Sequence, residues 1–469
     1  MASRSSSCPT HFRCCQTCPG ALLAASPLRA ATDSDLSLAI FFDGVLPAAK
    51  MPTRKERLQR KIDQLRLTRG KSPKCARFPE RPFLVPAVIE AIRASKYAGL
   101  MRVVPAEADT FCATAAEDYE KTNGRTATVI TNDSDMLILN KGTNTQVMLL
   151  ADLTRTTTPA GFKYEAKVYH PAKIAASAGL SDLMQVAFRL QRDKHLSFDH
   201  AVTQCKAADL RRDREYIVWQ KQFEPPKYNR STLSRAVITC LEQMDPRVAE
   251  VANQCMPGFA GNPTRDTVTV FLPHLHEDPT KADAWNIGSD YRNLAYRMLM
   301  PTQVIQVEEF SRSGAGIGSR KHLREAGWRP KLETHLAWIK SMIESMPDES
   351  TIAQCWYYMG VGIVTAYLKN HMRQKMTVDM VVRMLIKEVP ETDWTDKHVE
   401  AMVQAAVYSI RVLKQLLALE KIMNGLDGKL EELNVLLEGM PGIAELFERG
   451  EQDTREFWEE TAELLLGAV

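Results

Sequence analysis

The chain has 469 residues, which is too long for one ordinary domain, so two or three domains are expected. Its apolar fraction of 45% and charged fraction of 25% are those of a soluble globular protein, and no apolar run is long enough to cross a bilayer. The net charge of +3 does not by itself indicate a partner. The ten cysteines are scattered without a paired framework, which favours a reducing, intracellular compartment.

Residues 1–35 differ in kind from the rest of the chain. The first 32 residues contain no acidic residue and are rich in Ser, Ala and Cys. This composition suits a mitochondrial transit peptide, and an unstructured leader or an unnatural start to the chain fits it as well. His11, Cys14, Cys15 and Cys18 are zinc-ligand types, but no second ligand pair lies nearby in the sequence, so a zinc site is not favoured.

The first predicted elements are a strand and a basic helix. The apolar run Leu36 to Asp43 predicts a buried strand, which ends in a turn at Asp-Gly. From Lys50 the chain has a helical pattern, and between Lys50 and Arg81 it carries twelve Lys or Arg residues against three acidic ones. A basic stretch of this kind indicates contact with a phosphate backbone, or else a solvated helix face.

A strand, a helix and a second strand are predicted next. Met101 to Val104 forms the first strand, apolar residues at helical spacing predict a helix over 105–121, and Thr126 to Thr131 forms the second strand. Three such elements in about thirty residues predict a βαβ unit and therefore a parallel sheet.

The later chain is predicted to be mostly helical. Residues 146–153 and 165–170 continue the strand-like character, the pattern turns helical from about 172, and 222–232 is a linker. Further strands are predicted at 267–275 and 302–310, followed by buried helices that include Cys355 to Leu368. The glycines of Ser313 to Ser319 (SGAGIGS) miss the nucleotide-loop spacings and predict a mobile turn, while His274 to Asp278 (HLHED) is interpreted as a polar loop.

Five carboxylates follow the predicted strands. They are Asp43, Glu107, Asp109, Asp133 and Asp135. Ligand sites in parallel sheets collect beyond the carboxyl ends of the strands. Residues two apart in extended chain point the same way, so Asp133 and Asp135 are expected to face one centre. Glu107 and Asp109 are expected to converge because they occupy a strand-to-helix corner.

Carboxylates crowded at one edge repel each other unless cations join them, and Mg²⁺ prefers oxygen ligands. Two such ions about 4 Å apart can activate water and stabilise the leaving oxygen of a phosphodiester. The pattern therefore predicts metal-dependent hydrolysis of nucleic acid. The alternative is structural, since acidic residues after strands are common turn formers and helix caps. Any one of the five, taken alone, is better explained in that way; their joint placement favours the metal site.

The segments FFDGVLPAAKMPTRKERL, VVPAEADTFCA and ITNDSDMLIL together resemble the flap endonuclease/XPG-like superfamily of PIN-like nucleases. Within it the closest similarity is to Asteroid-type, XPG-domain-containing proteins, which also have a region similar to FLPHLHEDPTKADAWNIGSDYRNLAYRML. The resemblance covers 36–205 well and 265–320 loosely. It implies that the five carboxylates bind two Mg²⁺ or Mn²⁺ ions, and that Lys50 and Arg57 contact the scissile phosphate. Lys50, Arg54, Arg57 and Lys61 share one helix face, which suits phosphate tracking.

The chain departs from the superfamily pattern in two places. The superfamily begins with an aspartate-bearing strand ahead of the FFDG-like segment, and only residues 1–35 precede that segment here. The superfamily also has a Gly-Ser-Asp-Tyr-like turn with a further ligand, followed by a Gly-rich motif that grips duplex DNA. Asp193 in Gln191-Arg192-Asp193-Lys194 falls at the matching place, but the glycine and tyrosine are missing.

The fold expected from the sequence is α/β, with a PIN-like parallel sheet over 36–220, connecting helices over 221–264 and a mostly helical region over 265–469. The function expected first is a Mg²⁺-dependent, structure-specific nuclease, and the alternative is a nuclease-fold scaffold that binds without cleaving. Nucleic acid is the expected partner, DNA rather than RNA, and the helical region is a candidate surface for a protein partner. We expect no membrane association, and a location in the nucleus or cytoplasm.

Overall fold

The fold is known from a computed structural model, and the residues it describes form two compact units. The described residues are 37–70, 78–139, 142–159, 161–224, 228–259, 266–301, 304–324, 329–346, 350–372, 376–386, 393–447 and 455–468. Of these described residues, unit 1 contains those up to Phe42 and those within 106–226, and unit 2 contains those within 43–105 and 227–469. The predicted leader, with its cysteine cluster, lies outside the described residues.

The elements follow in chain order. The first four are β1 (Ile40–Asp43), α1 (Met51–Arg69), α2 (Leu84–Arg93) and β2 (Met101–Val104). Unit 1 continues with α3 (Ala108–Asn123), β3 (Thr128–Thr131), α4 (Met136–Leu139), β4 (Gln146–Leu149), β5 (Thr154–Thr158), β6 (Gly161–Glu165), β7 (Val168–Tyr169), α5 (Pro171–Ser177), α6 (Met184–Arg192), α7 (Phe198–Ala207) and α8 (Arg214–Gln220). Unit 2 continues with α9 (Arg235–Glu242), α10 (Pro246–Cys255), β8 (Thr267–Phe271), α11 (Ser289–Leu299), β9 (Gln306–Ser313), β10 (Gly316–Leu323), α12 (Arg329–Glu344), α13 (Ile352–Tyr367), α14 (Val378–Leu385), α15 (Trp394–Asn424), α16 (Gly428–Glu438), α17 (Ile443–Phe447) and α18 (Arg455–Ala468).

Unit 1 is built around a small mixed sheet. β3 pairs in parallel with β4, with Val129 opposite Val147, and β4 pairs antiparallel with β7. Parallel strands need a crossover connection, and α4 lies between β3 and β4 in the chain. Val129 and Val147 pack with Ala113 and Ala116 of α3 and with Met136 of α4, which makes this the core of the unit.

The predicted strand, helix and strand over 101–131 all form, but not as a parallel βαβ pair. β2 belongs to unit 2 and is not part of the sheet of β3, which pairs with β4 instead. β-propensity identifies a half-buried strand without identifying its partner, because the partner is decided by packing.

Unit 2 contains a second mixed sheet. β8 and β9 are parallel, with Val268 opposite Val307, and β9 and β10 form an antiparallel hairpin. The segment predicted as a mobile turn, Ser313 to Ser319, is the tip of this hairpin and the first part of β10. Gly314 at the tip has a φ of +56°, a conformation that favours glycine, which explains why this residue type turns the hairpin.

The helices of unit 2 pack around α15. By length and composition α15 could cross a membrane, but 78% of its most apolar window is buried inside the protein, which is the arrangement of a core helix. α13, predicted as a buried helix, packs closely on it. A Cβ at Gly360 of α13 would lie 2.5 Å from Cγ2 of Val407 on α15, so glycine is what permits this approach. The prediction of buried helices in this half of the chain is confirmed.

A buried polar cluster links the sheet of unit 2 to α11 and α15. Arg292, fully buried, pairs with Glu309 through two contacts of 2.6 and 3.0 Å and donates to Oγ of Ser409 at 2.7 Å. The hydroxyl of Tyr296 donates to Glu309 at 2.7 Å. Burial raises the pKa of Glu309, but Arg292 and His322 outweigh it and hold the pKa well below its usual value. The cluster is therefore a satisfied buried ion pair, whose loss would leave a charge without a partner.

The observed fold class is mixed α/β with a helical C-terminal region. The described strands form small sheets of two or three strands, and a single parallel sheet is not observed among them. Unit 2 combines 43–105 with the second half of the chain, and the predicted domain boundaries stay predictions.

Candidate functional site

Asp133 and Asp135 lie directly after β3, as predicted, and both are exposed. The backbone N–H of Asp133 donates to Oγ1 of Thr131 at 3.0 Å, and Oδ1 of Asp133 accepts from the N–H of Asp135 at 2.9 Å. The carbonyl of Asp135 accepts from Leu139 at 3.0 Å, which opens the short helix α4. One carboxylate oxygen of Asp133 therefore has a structural role in the turn.

Glu107 and Asp109 stand at the start of α3. Glu107 is the N-cap residue, with an extended backbone (φ −75°, ψ 139°), and its carbonyl accepts from Oγ1 of Thr110 at 3.2 Å. Asp109 lies in the first turn, where a negative charge interacts favourably with the helix dipole. Both residues are half-buried. The predicted strand-to-helix corner is thus where these carboxylates lie.

Asp193 and Asp43 occupy the ends of other elements. Asp193 follows α6, is exposed, and accepts from the N–H of His195 at 2.9 Å. Asp43 is the exposed last residue of β1. The next residue is glycine for a steric reason, since a Cβ at Gly44 would lie 2.0 Å from the carbonyl oxygen of Val104.

The six predicted metal ligands have the right chemistry for Mg²⁺, because all of them offer carboxylate oxygens. Among the described residues, no group of three or more His, Cys, Asp or Glu side chains could hold a metal ion. The metal-ligand roles of Asp43, Glu107, Asp109, Asp133, Asp135 and Asp193 therefore stay predictions.

The basic helix α1 is mounted on the sheet of unit 2. Leu58 and Ile62 of α1 are buried against Phe271 of β8 and Phe310 of β9. The side chain of Gln59 donates to the carbonyl of Ala315 in the hairpin turn at 2.9 Å. The predicted helix is confirmed, and its apolar side is fixed to the second half of the chain. Its sequence carries seven basic and two acidic residues.

The four predicted phosphate-contacting residues have different surroundings. Arg57 is exposed and Lys50 is half-buried at the start of α1. Lys61 pairs with Glu80 at 2.9 Å. Arg54 lies over the ring of Phe271 at 5.9 Å; burial and the nearby Arg247 lower its pKa to about 10, against the opposing effect of Glu250 and Asp43. Arg57 is thus the most accessible of the four for a phosphate.

Sequence reasoning missed the contacts of two basic residues of this helix and the partial burial of a third. Lys55 lies over the ring of Phe310, with Nζ 4.4 Å from its centroid, and Arg60 is exposed beside Glu56, with a contact of 3.0 Å. The burial of Arg54 had a signal in the sequence. It is four residues before Leu58, which is four before Ile62, so the three share one face of the helix.

Comparison with known proteins gives one finding. No curated protein and no solved structure matches the chain. A family model described as "XPG domain containing" matches residues 80–322, which is about half of the chain and includes residues of both units. The match supports a nuclease-like domain, and with it the superfamily indicated by the motifs. The chain therefore belongs to the family of XPG-domain-containing proteins.

Proposed function

We propose that the protein binds nucleic acid through α1, using an XPG-type domain of PIN-like ancestry. The observation that carries this proposal is the mounting of α1. Its apolar side is fixed on β8 and β9 by Leu58 and Ile62, while Arg57 and Arg60 are exposed. A helix held in this way presents its basic residues in a fixed arrangement, which lowers the entropic cost of contacting successive phosphates.

The expected partner is DNA rather than RNA, because the motifs resemble those of nucleases that act on DNA flaps and forks. Contacts to phosphates fix position without reading sequence, so binding should depend on the shape of the nucleic acid more than on its sequence.

Binding can be measured by fluorescence anisotropy with labelled flap, fork and single-stranded DNA and with matching RNA. We expect binding to DNA in low salt, and weaker binding by Arg57→Ala. Lys429→Ala is the matched control: Lys429 is also exposed, pairs with Glu432 at 3.2 Å, and lies on α16. Equal affinities for wild type, Arg57→Ala and Lys429→Ala would contradict the role of α1.

A second candidate function is Mg²⁺- or Mn²⁺-dependent, structure-specific hydrolysis of phosphodiesters. It is favoured by the order of the carboxylates, since Glu107 and Asp109 open α3 while Asp133 and Asp135 follow a strand of a parallel pair. In this proposal they bind metal together with Asp43, and Asp193 is a further ligand. The missing glycine and tyrosine around Asp193 favour the alternative, binding without cleavage.

Cleavage can be tested with the same labelled substrates in Mg²⁺ or Mn²⁺, with EDTA as the control. Asp133→Asn is the informative variant, because the amide keeps an oxygen that can accept from the N–H of Asp135 while the charge is removed. Cleavage by wild type that is lost in Asp133→Asn would support the nuclease. Binding by both proteins, without cleavage by either, would leave the scaffold function.

We further propose that the chain is closest to Asteroid-type members, because FLPHLHEDPTKADAWNIGSDYRNLAYRML resembles their later region. A location in the nucleus or cytoplasm and a protein partner for the helical C-terminal region complete the proposal. Immunolocalisation of the tagged full chain would test the location.

A further inference from the structure

The loop His274 to Asp278 (HLHED) contacts the end of α1 and the segment 78–80, which precedes α2. Asp278 pairs with Arg69, the last residue of α1, through two contacts: Nε to Oδ1 at 2.8 Å and Nη2 to Oδ2 at 3.2 Å. Oδ1 of Asp278 also accepts from the N–H and the hydroxyl of Thr280, at 2.9 and 2.8 Å. Asp278 is buried, so its carboxylate is a fixed acceptor for the end of the helix.

His276 binds the segment 78–80. Its Nε2 lies 3.1 Å from the carbonyl oxygen of Pro79 and 3.2 Å from that of Glu80. Both partners are acceptors, so Nε2 carries the proton and donates. The ring also packs on Phe78, with centroids 5.2 Å apart. Glu80 in turn pairs with Lys61 of α1, so this segment is tied to the loop and to the helix.

Glu277, between these two residues, fixes the loop itself. Its carboxylate pairs with Arg312 of β9 through contacts of 2.7 and 2.8 Å and accepts from the N–H of Ala284 at 2.8 Å. Glu277 and Arg312 are both buried. The consecutive residues His276, Glu277 and Asp278 thus bind three separate segments: 78–80, β9 and the end of α1. The strand β9 also supports α1, through Phe310.

We infer that Asp278 and His276 are positioning residues for the phosphate-contacting helix α1. They hold its last turn and the segment after it on a loop that is anchored to the supporting sheet. This inference rests on the proposed function of α1 in binding nucleic acid. When the Arg69–Asp278 pair is broken, the last turn loses its only ion pair to the loop among the described residues, and local opening becomes easier.

The first test is amide hydrogen exchange of the full chain, followed in peptides that cover 62–70 and 78–84. We expect Asp278→Asn to speed exchange in 62–70 at least about tenfold, because a charge-assisted pair is lost. Arg69→Ala should do the same, and the double variant should be no faster than either single one. Arg69 is partly exposed, so this variant tests the pair even where Asp278→Asn fails to fold. Arg66→Ala is the control, since Arg66 lies on the same turn and its ion pair among the described residues is an exposed contact of 4.0 Å to Asp63.

His276 offers a test by conservative replacement. His276→Gln keeps an N–H donor near the position of Nε2 and should leave exchange in 78–84 close to that of wild type. His276→Ala removes the donor and the ring, and should speed it at least about tenfold. Equal exchange in the two variants would overturn the assignment of His276.

The second readout is binding to labelled DNA. Asp278→Asn removes a negative charge, which alone would strengthen binding to a polyanion. Misplacement of α1 predicts the opposite, a loss of affinity of about threefold or more. Unchanged exchange in 62–70, or tighter DNA binding by Asp278→Asn, would overturn the inference. If exchange in 62–70 is faster in Asp278→Asn but the wild-type protein binds no nucleic acid, the positioning of α1 by Asp278 is confirmed. The proposed function of α1 is then contradicted instead.

Discussion

Replacement of Gly44 by alanine tests the close approach that follows Asp43. The Cβ of alanine would lie 2.0 Å from the carbonyl oxygen of Val104 and 3.1 Å from Cγ1 of Val103, whereas ordinary contacts begin near 3.4 Å. The nearest atom belongs to the backbone, so no side-chain rotation relieves the clash, and the two segments must separate by about 1.4 Å. Overpacking of this kind lowers the free energy of unfolding by about 1–3 kcal/mol. Because the clash is with the backbone and Gly44 is buried, we expect Gly44→Ala to lie at the upper end of that range.

The assay is urea unfolding of the full chain. The change in the free energy of unfolding is taken from the shift of the midpoint, with the same dependence of that free energy on urea concentration for both proteins. Gly99→Ala is the matched control, because Gly99 is exposed and a Cβ there would meet nothing within 4 Å. We expect Gly99→Ala to change stability by less than about 1 kcal/mol, and in the stabilising direction if at all. Equal midpoints for Gly44→Ala and Gly99→Ala would refute the reasoning.

Two further predictions concern buried ionisable side chains in unit 2. Burial lowers the pKa of His274 to about 3 and the pKa values of His276 and His398 to about 4. Histidines of the unfolded chain bind protons near pH 6.5, whereas these three bind them in the folded protein only at a lower pH. Between about pH 6.5 and pH 4 the unfolded state therefore binds more protons, and these histidines lower the stability as the pH falls. Glu277 acts in the opposite direction over the same range, because burial raises its pKa to about 7. Urea midpoints between pH 7 and pH 4.5 are therefore compared for wild type and His398→Gln, and an equal pH dependence in the two proteins would contradict the contribution of His398. Glu309→Ala leaves the fully buried Arg292 without its carboxylate, which should cost about 3–5 kcal/mol in thermal or urea unfolding; a loss below about 1 kcal/mol would be inconsistent with the buried pair.

Local pattern was sufficient to place the acidic motifs on their elements. The alternation and apolar runs predicted β3 and α3 to within a few residues, and with them the positions of Asp133 and Glu107. The pairing of β3 with β4 could not be predicted in the same way. A strand's side-chain period reports which residues are buried, while its neighbour depends on which other segments complete the core.

The basic helix illustrates the same limit. Its charge was evident from the sequence, but its support by β8 and β9 depends on contacts between segments more than two hundred residues apart, such as Gln59 with Ala315. The interpretation of HLHED as a polar loop was incomplete for a related reason. Polar residues that bind distant segments have the same composition as solvated ones, and only burial distinguishes them.

The most direct test of the account is the salt dependence of DNA binding. The affinity of wild type should fall steeply with salt concentration, since Lys and Arg contacts to phosphates release bound counterions. Arg57→Ala should bind more weakly to every DNA sequence and lower the slope of log K against log salt by about 0.7–0.9, the value of one phosphate contact. A slope in Arg57→Ala equal to that of wild type, or binding that is insensitive to salt, would contradict the assignment of α1 as the nucleic-acid-binding element.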